Sequence, residues 1–132
     1  MQLKTDNMAY LKLKQLKHEV DTWKRSVGFM SEENIRLKNR IAEVLKDPFD
    51  HNLLEQLECF QSSFIREDEL ISFLQQNLAE VDNLLVQETF ENDHFMKEFK
   101  NKLNDMRKVT LTAERQFGIL KLNFNDYLSE HL

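Results

Sequence analysis

Between Asp50 and Thr89 the chain sets apolar side chains at Leu53, Leu57, Phe60, Phe64, Ile71, Leu74, Leu78, Val81 and Leu85. The steps of three and four residues, and one of seven that spans Glu67, place all of them on one stripe of an α-helix. A strand would need alternation by two. An apolar stripe of this length has to be covered, so the spacing predicts long helices packed against one another.

The flanking segments repeat the pattern. With Leu13 as heptad position a and Leu16 as d, the frame continues through Val20, Trp23, Val27, Met30, Leu37, Ile41 and Val44, and Asn34 is its one polar member. A third stripe runs through Met96, Phe99, Leu103, Met106, Ala113, Phe117, Leu120, Phe124 and Tyr127, interrupted only by Thr110. Of thirty a and d positions, twenty-seven are apolar, in a chain that is 41% hydrophobic overall. Two Gly and one Pro leave little material for turns, and ten Phe supply a core rather than a disordered chain.

Asp47-Pro48 is the clearest boundary. The residue before proline avoids helical geometry, while proline suits a first helical turn. The a position moves by nine residues there, from Ile41 to Asp50, more than a stutter of three or four absorbs. Gly28, followed by Ser31-Glu32-Glu33, has the chemistry of a helix restart, but the unbroken frame argues against one. Asn92 and Asp93 suggest a second turn, although the eleven-residue step from Leu85 to Met96 also suits a continuous helix. The expected fold is all-α. It is a single-domain antiparallel three-helix bundle, a coiled coil of long helices over roughly 5–46, 50–90 and 94–130. The alternative is a long hairpin with residues 50–130 as one helix.

Charge selects the partners. Residues 1–47 hold ten bases and seven acids, residues 48–93 one base (Arg66) and eleven acids, and residues 94–132 seven bases and five acids. An acidic middle helix is attracted to both basic neighbours and repels a second copy of itself. Single exposed ion pairs contribute at most about 1 kcal/mol, so charge chooses the arrangement and apolar burial stabilises it. Within helices, Glu32 is spaced to meet Arg36, and Glu19 lies near Lys24.

Folding at the two boundaries brings Asn34, Glu67 and Thr110 into the same third of the bundle as a polar core that fixes register. Glu67 either reaches water at the edge of the seam or pairs with Arg36 or Arg115. No second titratable group beside it suits acid–base catalysis. Four histidines raise a metal- or small-ligand-binding bundle as the alternative function. His51 and His131 meet at one end, but only Glu91–His94 has the Glu-x-x-His spacing, and His18 lies on a polar face. No cofactor and no catalytic residue is expected, because phosphate loops, nucleophile motifs and His-Glu-x-x-His are missing from the sequence. The acidic balance argues against nucleic acid. No apolar run is long enough for a membrane span, and the N-terminal residues lack a signal-peptide core, so the expectation is cytoplasmic. Lone Cys59 reads as a reduced thiol.

Apolar residues off the seam carry the functional expectation. Phe29, Ile35, Ile65, Phe73, Ile119 and Leu122 fall at positions b, c or f and at similar heights, near Gly28 and Gly118. A bundle that has covered its own seam should not expose such a belt. It predicts a homodimer, or docking to another helical protein.

Three runs carry a resemblance: Trp23-Lys24-Arg25, Glu32 to Arg40 (EENIRLKNR), and Phe60 to Leu70 (FQSSFIREDEL). In these the chain resembles small uncharacterised coiled-coil proteins of Bacteroidetes bacteria. That likeness implies a cytoplasmic bacterial protein and brings neither an activity nor site residues. The length and the tryptophan in the first helix are also similar to a spectrin repeat, in architecture alone. The expected function is a non-enzymatic interaction or scaffold module.

Overall fold

The structure is a computed structural model that describes the backbone of residues 2–46, 51–86 and 93–132 and the side-chain surroundings of 12–46, 52–85 and 97–132. It is an all-α bundle of three helices: α1 (Gln2–Val44), α2 (His51–Val86) and α3 (Asp93–His131). No strand occurs among the described residues. α1 runs through Gly28 and Ser31 without a break, as its unbroken frame requires. At its end, Lys46 N–H donates to the Glu43 carbonyl at 3.3 Å, a tightened last turn. The turn expected at Asp47-Pro48 lies outside the described residues, and so does Asn92.

Direction follows from the contacts. Lys24 meets Asp82 and Lys38 meets Asp68, so α2 runs antiparallel to α1. Lys102 meets Glu80 at 2.7 Å. In one continuous helix those residues would lie about 33 Å apart, which excludes the single long helix over residues 50–130. α1 and α3 are therefore parallel. Arg107 meets Glu19 and Ser26 meets Glu114, both 88 residues apart in sequence, and Lys121 meets Glu33 at the same separation. One constant offset across two heptads means that the two helices keep step.

Every buried residue among those described is an a or d position of the three frames, except Glu33. Polar residues elsewhere in the helices satisfy themselves locally. The Thr22 and Ser63 hydroxyls donate to the carbonyls of His18 and Cys59, and Asn77 Nδ2 donates to that of Phe73. Such local bonds let polar residues sit inside the helices.

The best-defined packing is aromatic. Phe124 lies edge-on to Phe60 and Phe64, with ring centroids 5.2 and 5.3 Å apart, and Tyr127 closes the cluster 5.5 Å from Phe60. Edge-to-face pairs add about 0.5–1.5 kcal/mol beyond area burial. Phe124 is fully buried, whereas Phe29 is 64% exposed. Phe124→Ala should lower stability by about 3–5 kcal/mol, and Phe29→Ala should stay within about 0.5 kcal/mol. Urea unfolding followed by circular dichroism distinguishes the two outcomes.

Candidate functional site: polar layers and an exposed apolar band

Asn34 is fully buried on the α1 seam. Its Nδ2 donates to the Phe64 carbonyl at 3.0 Å and to Asp68 Oδ1 at 2.6 Å. Lys38 closes on the other oxygen of Asp68. This clasp of four residues ties α1 to one turn of α2. Shifting the pairing by a heptad would strand the buried amide, so the clasp selects one register.

Glu67 lies in the same turn of α2, half-buried, and its Oε2 is buried without a partner. Neither expected cation serves that oxygen, and Arg36 pairs with Glu33 at 3.0 Å instead. Burial pushes the Glu67 carboxyl above the ordinary glutamate range.

Thr110 is buried too, and its hydroxyl has no partner. Its hydroxyl bonds to neither Asn34 nor Glu67.

The flank between α1 and α3 holds residues that sequence reasoning missed. Glu33 is buried and bridges Arg36 and Lys121, the latter at 2.9 Å. Arg107 sends Nε and Nη2 to the two oxygens of Glu19, at 2.6 and 3.0 Å, and its guanidinium lies 5.8 Å over the Trp23 ring. The hydrogen bond to Glu19 strengthens protonation of Arg107. Ser26 donates to Glu114 at 2.6 Å between these two pairs. Glu19 thus pairs across helices rather than beside Lys24, and Arg36 takes Glu33, not Glu32. The available signal was the step of seven shared by Glu19, Ser26, Glu33 and by Arg107, Glu114, Lys121.

The off-seam apolar residues are exposed: Phe29, Ile35, Ile65, Phe73, Ile119 and Leu122 are each 50–64% accessible. By the ion-pair register they fall within about 18 Å of height. Their heptad positions spread them around the bundle. Ile35 and Ile65 flank the α1–α2 groove, and Phe73 and Ile119 flank the α2–α3 groove. Phe29 points toward the α1–α3 side, and Leu122 points directly outward. Beside Phe73 and Ile119 is a hollow of about 210 Å³ lined by Leu70, Lys108, Val109, Thr112, Ala113 and Gln116. It is smaller than the roughly 300–1,000 Å³ of a drug-sized ligand site. Two larger dips, at His18–Arg25 and Glu55–Arg66, are each lined by a single helix, so no polar groups converge on them.

The side chains of His51 and His94 lie outside the described residues. His18 is exposed, and His131 donates Nδ1–H to the Tyr127 carbonyl at 2.9 Å while stacking on its ring. Among the described residues no three His, Cys, Asp or Glu gather as a metal set, and no helix is long and apolar enough to cross a membrane. Cys59 is exposed on α2.

A buried hydroxyl without a partner costs about 1–3 kcal/mol. Thr110→Val should therefore raise stability by about 1 kcal/mol, read as a higher urea midpoint at unchanged slope. Comparison with family models, curated proteins and solved structures gives no match for this chain.

Proposed function

We propose that this chain is a non-enzymatic coiled-coil interaction module that self-associates as a homodimer. One observation carries the reading: six large apolar residues stay half or more exposed in one band, although the a and d layers already fill the interior. Leaving such side chains in water forgoes about 1.5–3 kcal/mol each, and a partner surface recovers that. The α2–α3 groove is the best candidate face. There Phe73 and Ile119 adjoin the apolar walls of the hollow formed by Leu70, Val109 and Ala113.

A second copy fits this face by charge. Apposed about a two-fold axis, the acidic α2 of one protomer meets the basic α3 of the other. Exposed Glu69 on α2 then faces the bases Lys108 and Arg115 on α3.

Multi-angle light scattering at tens of micromolar should give twice the 15.9 kDa chain mass. Phe73→Glu should return the protein to one chain mass without loss of helicity. A wild-type monomer under these conditions would contradict the reading. A pull-down in which Phe73→Glu loses a different helical protein would transfer the surface to that partner.

A further inference from the structure

The band and the ion pairs leave one feature of the interior unexplained: two acceptor oxygens without donors sit in the Asn34 layer. Asn34 spends its amide hydrogens on the Phe64 carbonyl and on Asp68. Flipping the amide would aim its oxygen at those two acceptors, so the partners fix its orientation. Asn34 Oδ1 is then buried with no donor. Glu67 stands between the two α2 residues that Asn34 touches, and its Oε2 is likewise buried with no donor.

The surrounding charges do not supply the missing hydrogen. On α1, Lys38 is held by Asp68, and Glu33 is an acceptor already engaged by Arg36 and Lys121. On α3, Phe124 packs on Phe64, so the turn level with Glu67 carries Lys121, which lies 2.9 Å from Glu33. Glu114, further along, accepts from Ser26. On α2 itself, Asp68 is an acceptor for Asn34 and Lys38. One proton satisfies both orphans, because a neutral carboxyl turns one of its oxygens into a donor.

We propose that Glu67 takes up a proton in the folded bundle and donates it as a hydrogen bond to Asn34 Oδ1, making this layer a pH-sensitive latch between α1 and α2. Burial raises the carboxyl above its ordinary value of 4.5, in the same sense. The sign follows from linkage: the folded state holds the proton more tightly than the unfolded chain. The latch is fully present below the ordinary glutamate value and is lost as pH rises through the folded value. That is the reverse of ordinary carboxylate-driven acid unfolding. Ile35 and Ile65 follow Asn34 and Phe64 directly in sequence, so the latch grips the groove they flank.

The direct test is a carbon-detected NMR titration of the Glu67 carboxyl in the full wild-type chain. Titration above the ordinary glutamate value of 4.5 is expected, and titration at or below it would overturn the proposal. The second test is urea unfolding from pH 5 to 8 of wild type and Glu67→Gln, whose amide donates at every pH. The variant should have the larger folding equilibrium constant at pH 8, by several-fold, and the gap should narrow as pH falls. In an Asn34→Leu background the pH-dependent gap should shrink to the part that burial alone supplies. Equal pH slopes for wild type and Glu67→Gln, or an unchanged gap without Asn34, would refute the latch.

Discussion

The constraint on which the rest depends is that α2 must cover its apolar stripe against two helices at once. α1 and α3 both run antiparallel to it, so they are parallel to each other. Parallel helices that share a third helix have to keep one axial offset, and their contacts accordingly repeat at one 88-residue spacing. Burial of Phe64, Leu74, Leu78 and Phe124 supplies the free energy. The acidic surface of α2 and its basic neighbours choose the arrangement. Lysines of both outer helices reach α2 carboxylates, but each such pair is exposed enough to contribute little alone.

The polar residues inside the seam play unlike parts. Asn34 is well served on its donor side and ties one turn of α1 to one turn of α2. Thr110 has lost its water and gained no partner. Glu33 lies just off the seam, where two cations at the surface make an otherwise costly buried carboxylate tolerable. A bundle with an all-apolar seam would slide by a heptad more easily, so Asn34 trades some stability for a single register.

Periodicity made the helices and the core legible, because burial in a bundle is decided by the angle around one helix and sequence records that angle directly. Leu57, Phe64, Phe99 and Phe124 were readable on this ground. The exposure of Phe29 and Phe73 was readable for the same reason, as the complement of the seam. Contacts between α1 and α3 were not. They depend on an offset created only after α2 has packed on both. Glu32 therefore looked like the partner of Arg36 by its spacing of four, while Glu33, turned toward α3, takes it at a spacing of three. The second boundary was also ambiguous in sequence, since an eleven-residue step fits both a turn and a continuous helix.

The interaction reading rests on the band that this packing leaves uncovered, and the band has its present form only if α2 and α3 lie side by side. The most direct measurement is a distance between spin labels at Glu69 and Arg115, both exposed, in a chain with Cys59→Ser. Helices packed as described give a separation within about 25 Å, the axis spacing of 8–10 Å plus the label arms. A distribution centred near 70 Å, the length of the intervening 46 residues as one straight helix, would contradict the three-helix account.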